Sequence, residues 1–125
     1  MSLRSPLGRA RGLGSAKSGV HHFWVQRLSA LALIPLALWF VFTLARLPQY
    51  GFYYMRHWVS TPSVAVTLVL FLAAAIYHSA LGLQVVIEDY TGSEAKKIVS
   101  MVLMQFAHAV IAAASIFAVL KVALA

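Results

Sequence analysis

His78 sits deep in a long apolar stretch, and eleven positions later that stretch runs out at Glu88-Asp89-Tyr90. Eleven positions are close to three turns of an α-helix, so His78, Gly82, Val85 and Asp89 share one helix face. At about 1.5 Å per residue, the carboxylate lies roughly 16 Å along the axis from the imidazole. On a helix that crosses a bilayer, the imidazole is then near mid-membrane and the Asp-Tyr pair is at the water boundary. Each position suits a chemistry. An imidazole in hydrocarbon needs a partner, and a haem iron is one that leaves the second ring nitrogen to a backbone carbonyl. Gly82, one turn on, would leave room for a flat macrocycle. The Tyr90 hydroxyl could donate to a quinone carbonyl, with Asp89 orienting it or relaying a proton. Plainer readings stand beside these: His78 hydrogen-bonded to a neighbouring helix, Gly82 a helix-packing glycine, and Asp89-Tyr90 an interfacial anchor.

The rest of the inventory is short, with five histidines and three acids. There is no cysteine, so disulfides, thiolate metal sites and cysteine nucleophiles are excluded. No Gly-rich phosphate loop is present, nor a nucleophile with a base at a useful spacing. Hydrolysis and phosphoryl transfer have nothing to run on. His108, inside the third apolar stretch, is either a second axial ligand or structural. His57, beside Trp58, reads as interfacial. His21, His22 and Arg27 form a cationic edge before the first stretch, suited to haem propionates or to lipid phosphates; Arg27 could pair bidentately with a carboxylate.

These residues need long apolar elements to hold them. The chain has 125 residues, 62% hydrophobic and only 10% charged, far below the quarter or so typical of soluble domains. Leu28 to Ala45, Val64 to Ile87 and Ile98 to Leu120 carry no charge, and each approaches or exceeds the roughly 20 residues that cross hydrocarbon. The expected fold is all-α, with three transmembrane helices. Of ten basic residues, Arg4, Arg9, Arg11, Lys17, Arg27, Lys96 and Lys97 flank one side, and Arg46, Arg56 and Lys121 the other. The positive-inside rule puts the first set, and the N-terminus, in the cytoplasm. The net charge of +7 then serves orientation and lipid contact, not nucleic acid.

Residues 1–20 read as a basic cytoplasmic tail, in preference to a transit peptide, and 21–125 as one three-helix membrane domain. Pro35 falls inside the first helix. Residues 46–62, with Tyr50, Phe52, Tyr53, Tyr54 and Trp58, read as a loop or short helix in the far interface. Pro62 suits the first turn of helix two, capped by Ser60 or Thr61. Gly92 reads as the turn after it and Ser93 as the next cap. Ala73 to Ala75 and Ala112 to Ala114 would allow close helix packing.

The pattern His78-x3-Gly82-x6-Asp89-Tyr90, in the second of three spans, resembles the hydrophobic anchor subunits of succinate dehydrogenase (respiratory complex II), specifically the cytochrome b-type D subunit. Gly12-Leu13-Gly14-Ser15-Ala16-Lys17-x-Gly19, followed by His22 and Gln26-Arg27, is similar to the alphaproteobacterial form. The resemblance implies a b haem shared with a C-type anchor subunit, His78 being one axial ligand and the partner supplying the other. It implies that Tyr90 donates to ubiquinone beside Asp89, and that Arg27 lies near the haem propionates. His21 or His22 shares that role, the doubled histidine leaving two registers. His108 has no counterpart and is structural by this resemblance. Further implied partners are an iron–sulfur subunit and a flavoprotein subunit. The chain itself would be an electron-transfer anchor that contributes to a quinone site, not the dehydrogenase. The alternatives are the anchor of a quinol:fumarate reductase and a cofactor-free structural or assembly protein. The expected location is the bacterial inner membrane, in preference to the mitochondrial inner membrane, since the N-terminus reads as unprocessed.

Overall fold

The computed structural model describes residues 17–46 and 51–125, all of whose regular elements are helices. Helix α1 spans Lys17–Arg46, α2 Gly51–Ser60, α3 Pro62–Tyr90 and α4 Glu94–Ala123. The basic tail as far as Ala16, including the Gly12–Ala16 run, lies outside the described residues, as does Tyr50. Helix α1 is already formed at Lys17, four positions before the expected domain boundary.

Helices α1, α3 and α4 hold 30, 29 and 30 residues, or about 45 Å each. All three are long and apolar enough to cross a membrane. They outrun the charge-free stretches because their ends continue into aromatic and titratable residues. About 45 Å matches a bilayer with its headgroup layers, where such residues belong.

Helix α3 is central. It packs against α1 on one flank and α4 on the other, while α1 and α4 do not approach each other. Helix α2 lies against α3 and α4, at the end where α1 finishes, α3 starts and α4 finishes. Trp39 of α1 stacks on Trp58 of α2 at 5.8 Å, and Phe40 of α1 on Phe71 of α3 at 4.6 Å. The spans therefore form an open antiparallel row, not a closed bundle. Among the described residues only Ala65 and Leu68 are buried. Leu28, Phe106 and Phe117 are each about two-thirds exposed, at 69%, 68% and 66%. In water such exposure would forgo roughly 25 cal/mol per Å² of apolar surface. In lipid it is neutral, and close packing and polar contacts join the helices instead. Of the small residues, Ala74, Ala75 and Ala112 are half-buried, whereas Ala73, Ala113 and Ala114 are exposed.

Helix boundaries fall near the expected places, but not by the expected chemistry. Thr61 is the residue preceding α3 and Pro62 opens it, yet Thr61 makes no side-chain cap. Its hydroxyl donates back to the His57 carbonyl at 3.2 Å, as that of Ser60 does at 2.8 Å. Ser93 likewise precedes α4 without capping it. Gly92 does not adopt the left-handed backbone of a glycine C-cap; α3 closes instead through the Thr91 N–H to the Ile87 carbonyl at 3.1 Å. Among the described residues the glycine whose conformational freedom is used is Gly51, at φ +77°, where the chain enters α2.

Candidate functional site

Half-buried residues recur along α1 every three or four positions: His22, Gln26, Ser29, Leu33, Leu36 and Phe40. That stripe faces α3. Because the helices are antiparallel, its N-terminal half meets the C-terminal half of α3, where His78 lies. Ser29 Oγ is 3.0 Å from His78 Nδ1 and also donates to the Gln26 carbonyl at 2.9 Å. His78 lines a cavity of about 310 Å³ between α1 and α3 with Phe23, Gln26, Arg27 and Ala30. The Arg27 guanidinium lies over the Phe23 ring, 5.1 Å from its centre. Such a contact steadies a side chain by about 0.5–1 kcal/mol when exposed.

One turn nearer the helix start, His22 Nε2 is buried and has no hydrogen-bond partner among the described residues. His21 is exposed and lines no part of this cavity. A Cβ added at Gly82 would meet nothing within 4 Å. No helix among the described residues therefore packs on that glycine, and the space beside it is free.

Among the described residues no three histidine or acidic side chains converge on one point, as a metal held by several protein ligands asks. A haem iron asks less, because the macrocycle fills the equatorial positions and protein supplies only axial ligands. The residues present fit that group: a held imidazole, an arginine in the same cavity, and a buried imidazole nitrogen one turn away. A cavity of about 310 Å³ is at the small end for a cofactor site, leaving much of the enclosure to another chain.

Residues 1–120 match the family described as the succinate dehydrogenase/fumarate reductase transmembrane subunit. The chain belongs to that family. It is 38% identical over 89 residues to the succinate dehydrogenase hydrophobic membrane anchor subunit of Rickettsia bellii, covering 70% of each chain. To the protein of the same name from Paracoccus denitrificans it is 32% identical over 110 residues, covering 88% of this chain and 85% of the other. The succinate dehydrogenase membrane anchor subunit of Reclinomonas americana is 31% identical over 100 residues, covering 71% and 77%. No solved structure matches.

In this membrane anchor subunit the half-buried histidine of α4 has a different environment. His108 Nδ1 lies 2.8 Å from the Met104 carbonyl and Nε2 3.2 Å from Ser79 Oγ. A carbonyl only accepts, so Nδ1 carries the proton and Nε2 accepts from the Ser79 hydroxyl. Both nitrogens are used, and His108 ties α4 to α3. Asp89 and Tyr90, at the end of α3, are exposed, Tyr90 by 86%. They do not bond to each other: consecutive helix residues project about 100° apart. Glu88 accepts from Gln84 Nε2 at 2.9 Å.

The structure thus joins His78 and Arg27, sets His22 on the same stripe, and leaves His21 outside. Asp89 and Tyr90 stand at the end of the same helix. The residue that sequence reading missed is Ser29, a hydroxyl where a carbonyl was expected. Its signal was available: it is a polar residue inside a charge-free span, seven positions after His22 on the same face.

The Ser79–His108 bond is testable by a double-mutant cycle. Ser79→Ala and His108→Ala should each destabilise the detergent-solubilised subunit by about 0.6–1.7 kcal/mol, and the pair by little more than the larger single loss. Additive losses in thermal denaturation would show that the bond contributes nothing.

Proposed function

We propose that this subunit, with a C-type anchor subunit, forms the membrane domain of a bacterial succinate dehydrogenase and holds a b haem and a ubiquinone. The observation that carries the reading is His78: a half-buried imidazole at mid-span, held at Nδ1 by another helix and lining the cavity that contains Arg27. His78 would hold the haem iron from this chain, and the C-type subunit would supply the second ligand. A b haem, when bound, provides a one-electron redox centre inside the membrane. Arg27 and His22 offer positive charge and an N–H to its propionates, and the open space at Gly82 admits its edge. His21 belongs to the same headgroup-level cationic edge.

The quinone site lies at the C-terminal end of the same helix. Tyr90 and Asp89 have no partners among the described residues, so their polar groups are free to serve a ligand. Tyr90 O–H donates to a quinone carbonyl and polarises it for reduction. Asp89, which does not orient Tyr90, relays protons to the reduced quinone. The iron–sulfur subunit, itself reduced by the flavoprotein that oxidises succinate, delivers two electrons there. The end of the row that carries Arg27, Lys96, Lys97 and all three acids is the cytoplasmic end, by its excess of basic residues. Lipid covers the outer faces of α1 and α4 that partners leave free.

His78→Ala should abolish or shift the b-haem bands in the reduced-minus-oxidised spectrum of the purified complex; unchanged bands would sink the ligand assignment. Tyr90→Phe should lower succinate-driven quinone reduction at least about tenfold while sparing reduction of an artificial dye. Equal loss of both activities would argue against a quinone role. The natural lack of cysteine makes topology accessible to labelling. In intact cells a membrane-impermeant maleimide should modify Tyr53→Cys and not Gly92→Cys, and the reverse pattern would invert the proposed orientation.

A further inference from the structure

We infer that Ser29 is a positioning residue for His78, accepting its Nδ1–H and so presenting Nε2 as the nitrogen with a free lone pair. The inference rests on the haem reading above, and it follows from counting protons. A serine hydroxyl has one. Ser29 Oγ lies 2.9 Å from the Gln26 carbonyl, which can only accept, so the hydroxyl proton is committed there. The lone pairs of Oγ remain, and one faces His78 Nδ1 at 3.0 Å. The proton in that contact must come from the ring. A neutral imidazole has a single N–H, so Nε2 is left unprotonated. It has no hydrogen-bond partner among the described residues.

His108 shows what the alternative looks like. It holds the same tautomer, with Nδ1–H on the Met104 carbonyl, but a second serine occupies Nε2 at 3.2 Å. Its lone pair is filled, that of His78 is not. The difference between a structural and a ligating histidine in this subunit is therefore which nitrogen its serine takes.

Two consequences follow for the ring. Ser29 is itself fastened to the α1 backbone at Gln26, and α1 also carries Arg27 into the cavity. The ligand on α3 and the cation on α1 are thereby set at a fixed relation across the helix seam. An acceptor on Nδ1–H also makes Nε2 a stronger donor to iron. That favours the ferric state and lowers the reduction potential of a haem bound there.

The test compares Ser29→Thr with Ser29→Val in the assembled complex, two side chains of nearly equal volume that differ by a hydroxyl against a methyl. Ser29→Val should raise the midpoint potential of the b haem, shift the g values of its low-spin ferric EPR signal, and weaken haem retention about tenfold. Ser29→Thr should stay close to the parent on all three. Identical behaviour of the two variants would overturn the role of Ser29. If Ser29→Val does not assemble, Ser29→Ala against Ser29→Thr is read in the same way. His78→Ala separates this inference from the reading beneath it. Haem loss there without any Thr–Val difference leaves the ligand in place and removes Ser29; unchanged haem bands there remove the ligand itself.

Discussion

In hydrocarbon a polar group has no water to return to, so each must find its partner within protein. The structure of this subunit is governed by that constraint more than by burial, for among its described residues only two side chains are buried. Aliphatic contacts between α1, α3 and α4 gain little over contacts with lipid tails, and alone they would let the helices slide. The serine and histidine side chains of the spans cannot slide without losing their partners. Thr43, Thr67 and Ser115 solve the problem locally, each donating to a carbonyl four positions earlier. Ser29, His78, Ser79 and His108 solve it between helices.

Those two interhelical bonds start from consecutive residues of α3 and reach opposite flanks. This follows from helix geometry, since positions 78 and 79 project about 100° apart. One bond fixes the register of α1 on α3 and the other that of α4, at the same depth. Each is worth only about 0.6 kcal/mol on average for such contacts. Their effect is directional: they select one register among packings that differ little in energy. Buried polar groups have this use elsewhere, where register must be unique. A single depth of the row therefore carries both its alignment and its candidate ligand.

The large features of the fold were readable in the sequence because membrane physics writes them in composition. Absence of charge over about twenty residues marks a span, and Pro62 and the Thr91-Gly92-Ser93 break mark where spans start and stop. The aromatic run after Arg46 read as a loop or a short helix, and Gly51–Ser60 of it is the helix α2. What was hidden depends on geometry between helices or on backbone detail. Thr61 and Ser93 stand at the right positions to cap, but the Thr61 hydroxyl is taken by a carbonyl of the preceding helix. Gly92 looked like the glycine of a turn, whereas the left-handed residue among those described is Gly51. At the candidate site, His78 was visible as a polar residue in an apolar run. Its partner was not, because Ser29 is 49 positions away and a serine in a membrane helix usually bonds to its own backbone. Ser29 does that as well, and the combination gives it its role.

The row is also incomplete in a specific way. The His78 cavity lies on the α1–α3 seam, and α4, which could have closed it, packs on the opposite flank of α3 and never reaches α1. Its histidine already has both nitrogens occupied. Among the described residues, then, the imidazole that the proposal gives to iron is that of His78, and His22, toward the start of α1, is another with a nitrogen that has no partner. In the proposed complex the missing ligand and the missing wall come from the same neighbour. A group ligated from both chains adds its binding free energy to their association, because it binds the assembled pair and not the separated subunits. Helices that lack a core of their own gain from that coupling what a soluble protein gains from burial. An open seam with one prepared ligand is consistent with a subunit whose stable state is the assembled one.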